Sequence, residues 1–143
     1  MRRKVKNVTR IEIPLDIYRC SVVIFFGATL KQIMSVGRRR GIAAEFFPRE
    51  WSTTLEDWIA DEDCNGFCAS YGSLNRDIVV WLRKRPERSR EYGTLYHELY
   101  HAVDHVASGI DERGTLTDRF GTSEARAMIF EYLVNTANRV LWS

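Results

Sequence analysis

The spacing of apolar residues along the chain changes character several times, and each change marks an element. CSVVIFFG (Cys20–Gly27) is β-branched and aromatic with almost no polar break, which predicts a buried strand. A mixed stretch around Val8–Ile13 fits a short strand ahead of it. ATLKQIMSVGRRRG then switches to helical spacing, with Leu30, Ile33 and Met34 on one side and a stop expected between Gly37 and Gly41. IAAEFF (Ile42–Phe47) has strand composition and precedes Pro48, while TTLEDWIADED reads as either a short helix or an acidic loop. GFCASYG and DIVVWLRKR flank the turn-rich GSLNRD and predict a hairpin that Pro86 closes. Two helices complete the chain: Ser89–Ser108, with Gly109 as its C-cap, and about Thr122–Leu141. Strands come first and a helical pair last. That order predicts one α+β domain over residues 1–143, a small mixed sheet packed on the two helices.

The first of those helices carries the chemistry. All 3 histidines of the chain, His97, His101 and His105, fall within it. Stepping about 100° per residue puts His97, Glu98, His101, Asp104 and His105 within one third of the circumference. Leu95, Leu99, Ala102, Val103 and Val106 take the opposite side, so one face enters the core and the other is polar. His97-Glu98-Leu99-Tyr100-His101 is H-E-x-x-H. Residues four apart on a helix have Cβ atoms about 5–6 Å apart, close enough for two imidazoles to share one ion at Zn–N distances of about 2.0–2.1 Å. Glu98 lies beside that point, where it can act as a base toward a metal-bound water. A structural site has no use for such a base.

A catalytic zinc site takes a third protein ligand and keeps one position open. Asp104 and His105 cannot easily supply it. Asp104 lies about 10.5 Å along the axis from His97, and no glycine turns the chain back between His101 and Asp104. Another segment should contribute the ligand. The last helix, SEARAMIFEYLVNTANRVL, is apolar almost all round, which predicts deep burial. Its polar stripe holds Glu124, Glu131, Asn135 and Asn138. A carboxylate turned inward there would need a partner, so Glu124 and Glu131 are both candidate ligands. Asp104 or Asn135 could orient a ligand imidazole from outside the coordination shell, and Tyr100, His105 or Tyr132 could donate to a developing oxyanion.

Composition narrows the remaining classes. A hydrophobic fraction of 45% with 12% aromatics is that of a folded globular chain. A net charge of +2 gives no reason to expect a nucleic-acid partner, although basic residues cluster in MRRKVK, GRRRG and RKRPERSR. Each cluster falls at a terminus or turn, which favours solvated loops over a phosphate-binding patch. No apolar run reaches the roughly 18 residues of a membrane span, and no signal-peptide core follows the basic start. Three cysteines, Cys20, Cys64 and Cys68, are too few for a disulfide framework. Free thiols in a reducing cytoplasm are the expectation.

On the H-E-x-x-H and the later EARAMIFEYL, the chain resembles a minimal zincin metallopeptidase of the gluzincin type, nearest the ImmA/IrrE-like bacterial and phage proteases. The resemblance spans about residues 77–135 and places Glu124, Ala125, Glu131 and Leu133 on the family's E-A-x-x-F-x-x-E-L-L pattern, with Met128 at the aromatic position. Tyr100 stands where the family often has a small residue, and the first 70 residues match no family pattern. The resemblance implies a zincin-like fold, one Zn²⁺ per chain on His97, His101 and Glu124, Glu98 as general base, and a protein or peptide substrate. It also implies that DIVVWLRK lies along the cleft and pairs with substrate as an added strand. Two other readings stay open: a zinc-binding protein of the same fold without catalysis, and a basic nucleic-acid-binding module.

Overall fold

The structure is a computed structural model that describes residues 8–39, 49–70, 77–112 and 123–143. In chain order its elements are β1 (Arg10–Leu15), a single 3₁₀ turn (Asp16–Tyr18), β2 (Cys20–Phe26), α1 (Leu30–Arg39), α2 (Arg49–Ala60), β3 (Gly66–Ser70), β4 (Ile78–Leu82), α3 (Ser89–Glu112) and α4 (Ser123–Leu141). The strands form one mixed sheet in the order β1-β2-β4-β3. β1 and β3 run antiparallel to their neighbours, whereas β2 and β4 are parallel. The α+β class stands as expected from the sequence.

Side-chain parity along the strands explains the layering, because successive residues face opposite sides. Val22, Ile24 and Phe26 of β2, with Ile78, Val80 and Leu82 of β4, meet Leu95, Leu99 and Val103 of α3 and Leu133 of α4. Val23, Phe25, Val79 and Trp81 face the other way, onto Ile33 and Met34 of α1 and Leu55 of α2. The two central strands are therefore covered on both faces, and every residue of β2 and β4 is buried. β1 alternates exposed and buried, as a strand with one open face must. On β3, Phe67 and Ala69 join the α1–α2 layer, stacking Phe67 on Trp81 at 5.1 Å. Gly66 and Cys68 consequently turn toward α3.

Two polar ties fix β4 between its neighbours. The Trp81 Nε1–H donates to the Ala28 carbonyl (2.9 Å), and the buried Asp77 carboxylate accepts from the Ser21 backbone N–H (2.7 Å). Arg83 follows β4 and donates to three backbone carbonyls, those of Cys64, Ile59 and Asp61. It thereby pins the end of α2 to the start of β3.

Several local expectations changed. β1 begins and ends two residues later than Val8–Ile13. TTLEDWIADED is helical as far as Ala60, since Leu55 and Ile59 are four apart and seat one face on the core, and its last three residues form a turn. Gly109 does not cap α3, which continues to Glu112; one helical glycine costs only about 1 kcal/mol relative to alanine. DIVVWLRK contains an interior strand with partners on both sides, so β3 is the edge that borders α3. The strand expected at IAAEFF lies outside the described residues. α4 is not deeply buried either. Ile129, Leu133, Ala137 and Leu141 face inward, but Met128 and Tyr132 are 63% and 50% exposed. Both are apolar enough to suggest burial in the sequence, yet they sit on the far side of a helix that has only one layer beneath it.

The N-terminus of α3 is closed by its own side chain. Glu91 accepts from the Glu87 and Arg88 backbone N–H groups (2.7 and 3.2 Å) and pairs with Lys84 (2.8 Å). These contacts, led by the Lys84 ammonium, hold the carboxyl down to about 2 from its usual 4.5. A carboxylate depressed in the folded state stabilises above its unfolded pKa and loses that contribution as pH falls toward the folded value. The difference in urea midpoint between wild type and Glu91→Gln should thus be widest above about pH 5 and close toward pH 2. A pH-independent difference would mean the cap does not depend on the charge.

Candidate metal centre and cleft

On α3 the phase predicted from the sequence is the phase observed. Leu95, Leu99, Ala102, Val103 and Val106 are buried, whereas His97, His101 and His105 are exposed. The Nε2 atoms of His97 and His101 approach to 3.1 Å, with the rings nearly perpendicular and their centroids 4.7 Å apart. At this separation one ring nitrogen can donate to the other. Two ligands on a tetrahedral zinc at about 2.0–2.1 Å are themselves about 3.3 Å apart, a separation close to that of the imidazole pair.

Glu98 departs from the simple polar-face picture. It lies at the border of that face, only 7% exposed beneath the start of β3. Burial pushes its carboxyl up, and the imidazoles of His97 and His101 oppose the shift. The close approach is made possible by Gly66. A Cβ at that position would stand 3.0 Å from the Trp81 carbonyl oxygen, 3.2 Å from Thr94 Cγ2 and 3.3 Å from Glu98 Cγ. Because the first of these is β4 backbone, relief requires β3 to shift against β4, and the other two contacts press it against α3. Gly66→Ala should therefore lower stability by about 1–3 kcal/mol through overpacking, read as a urea midpoint. A midpoint at wild-type level would show that the strand and helix are less tightly fitted.

Between β3, an edge strand among the described residues, and the histidine row of α3 lies a cleft of about 400 Å³. Its walls include Trp58 of α2, Gly66 and Cys68 of β3, and Glu98, His101, Asp104 and His105 of α3. Burial raises the Cys68 thiol strongly, aided by the charges of Glu98 and Asp104, and raises the Cys64 thiol as well. Both cysteines are free. The His105 imidazole is pushed down, chiefly by desolvation and further by His101, against the pull of Asp104.

Four side-chain contacts set α4 antiparallel to α3: Tyr92 with Trp142, Tyr96 with Asn138, Tyr100 with Phe130, and Asp104 with Arg126. The polar stripe of α4 divides accordingly. Asn138 is buried and accepts from the Tyr96 hydroxyl (2.9 Å), whereas Glu124, Glu131 and Asn135 are exposed. The argument that a buried carboxylate on α4 needs a cation thus does not apply to either glutamate. Glu131 follows Phe130, at the level of Tyr100 within the H-E-x-x-H turn; Glu124 precedes Arg126, at or beyond the level of Asp104. Among the described residues no three of His, Cys, Asp and Glu are gathered within ligating reach.

The other expected contributors are spread out. Tyr100 is 57% exposed against the Phe130 ring, and Tyr132 points away on the outer face of α4. Asp104 lines the cleft but is engaged by the Arg126 guanidinium. Sequence reasoning missed Arg126, Gly66, Thr94 and Trp58. Gly66 alone gave a local signal, as a glycine at the start of a strand; the others meet the site only through pairing of distant segments. Among the described residues no helix is long and apolar enough to cross a membrane. Compared with known proteins, the chain matches no family model, no curated protein and no solved structure at a significant level.

Proposed function

We propose that this domain is a zinc-dependent peptidase with a zincin-like arrangement, and the observation that carries the proposal is the His97–His101 pair. Two Nε2 atoms 3.1 Å apart on an outward face, with a buried carboxylate one residue away at the head of a cleft, form a donor set and a base together. When bound there, zinc supplies a Lewis acid that acidifies water and polarises a carbonyl. Glu98 accepts the proton of the attacking water as the new C–O bond forms. It returns that proton to the amine as the C–N bond breaks. Desolvation raises the Glu98 carboxyl and so strengthens it as a proton acceptor. β3, the edge strand of the sheet among the described residues, offers main-chain N–H and C=O groups to a substrate segment lying in the cleft as an added strand.

The third donor comes from α4 in this reading. The family pattern assigns it to Glu124, while the helix register favours Glu131, which stands level with the imidazole pair. Both side chains are exposed and have the rotamer freedom to turn. Zinc titration of Glu124→Ala and Glu131→Ala distinguishes them: loss of the ligating carboxylate should weaken affinity by at least about tenfold, the scale seen even for groups outside the coordination shell. Unchanged affinity in both variants would remove α4 from the site. A zinc-binding protein without hydrolysis is the competing reading, and the buried base beside the histidines argues against it.

A further inference from the structure

The basic run RKRPERSR does not act as one patch, because the fold sorts its cations into different tasks. Arg83 is consumed by backbone carbonyls at the end of α2, and Arg85 donates to the Leu141 carbonyl (2.6 Å). Lys84 is neutralised by Glu91. Among the described residues, the Arg88 and Arg90 side chains engage no hydrogen bond or ion pair. Both line a cavity of about 350 Å³ together with Lys84, Glu91, Asn65 and Thr94. The helix end inside it is already capped by Glu91. Arg88 and Arg90 are therefore the unengaged cationic residues among those that line the cavity.

This cavity and the cleft each border Gly66. Thr94, on the wall of the first, and Glu98, on the wall of the second, both lie against Gly66. Arg90 precedes Glu98 by eight residues on the same helix, about 12 Å along its axis. An extended peptide covers that distance in about three or four residues. We infer that Arg88 and Arg90 form a carboxylate-recognising subsite, so that the cleft selects peptides with a carboxylate three or four residues from the bond placed at Glu98. The inference rests on the peptidase reading for its geometry but is tested apart from it. Guanidinium forks bind carboxylates in bidentate fashion, and the carboxylate can come from an Asp or Glu side chain or from the peptide's own C-terminus.

Binding is read by fluorescence anisotropy on Glu98→Gln protein with one equivalent of zinc. The probes are labelled Ala/Gly decapeptides: one neutral and amidated, one amidated with a single Asp, one neutral with a free C-terminus. At least one carboxylate-bearing probe should bind about tenfold more tightly than the neutral one, the sum of two exposed charge pairs. A preference for the Asp probe identifies a side-chain acid, and a preference for the free terminus identifies a chain end. Arg88→Ala/Arg90→Ala should erase the preference. Arg88→Glu/Arg90→Glu should transfer it to a Lys-bearing decapeptide, a gain that misfolding cannot produce. Equal binding of all probes, or a preference that survives in the double variants, overturns the inference. Arginine-dependent binding of a 20-nucleotide single-stranded DNA that displaces the peptides also overturns it. Zinc-dependent turnover of the neutral peptide by wild type without any preference defeats the subsite alone; preference without turnover of any probe defeats the hydrolase reading alone.

Discussion

Glu98→Gln should retain zinc at wild-type affinity while peptide hydrolysis falls by about 10²–10⁴-fold, the range associated with removing a positioned general base. The substitution is nearly isosteric, which matters because Glu98 is wedged beneath Gly66 with its Cγ 3.3 Å from the position a Cβ would take there. Glutamine keeps that packing and removes the proton acceptor. Its effect on folding should be small or favourable, since the neutral amide avoids the desolvation that raises the native carboxyl. Initial rates on a quenched peptide, with zinc content measured on the same sample, check this expectation. Retained turnover would mean that the buried carboxylate is not the base; loss of zinc together with activity would mean it holds the metal site together.

The second large effect concerns zinc-linked stability. A ligand that binds only the folded chain adds about 2.7 kcal/mol at a hundred times its Kd. For a domain of this size that corresponds to a rise in Tm of roughly 10 °C. His101→Ala should abolish the rise. It should leave the metal-free Tm almost where it was, because His101 is exposed and exposed substitutions mostly change stability by less than about 0.5 kcal/mol. The combination separates a ligand from a structural histidine: a packing role would lower the metal-free Tm and leave the zinc response intact. Differential scanning calorimetry with and without zinc supplies both numbers.

What the sequence revealed and what it concealed divide along the range of the interactions. The phase of α3 was legible because helical periodicity is local: five apolar residues at the right spacing fixed which side His97 and His101 would occupy. β2 was legible for the same reason, its unbroken apolar run demanding cover on both faces. The edge of the sheet was not. Whether β3 or β4 borders the cleft depends on the parallel pairing of β2 with β4, a contact between segments more than fifty residues apart that no local pattern encodes. Gly109 misled because a glycine is a stop only where the chain gains by turning. The apolar composition of α4 suggested burial, but composition does not say how many layers cover a helix, and Met128 and Tyr132 are left in solvent. Glu98 was placed correctly on the helix and incorrectly in environment, since the strand that covers it arrives from another part of the fold.

That division bears on the site itself. The imidazole pair and the Glu98 carboxylate come from one helix and were readable together, whereas the ligand expected from α4 depends on how two helices slide past each other. The contacts of Tyr100 with Phe130 and of Asp104 with Arg126 set that register, and neither partner carries a sequence signal for the other.

In the proposed peptidase His97 and His101 jointly hold a zinc ion, and zinc-edge X-ray absorption on protein loaded with one equivalent reads that coordination itself. The expected spectrum is that of a four-coordinate shell with two imidazole nitrogens at about 2.0–2.1 Å and oxygen donors completing it. A shell containing sulfur at about 2.3 Å, which would place the metal on the cleft thiols instead, or zinc that is lost entirely on desalting, would contradict it.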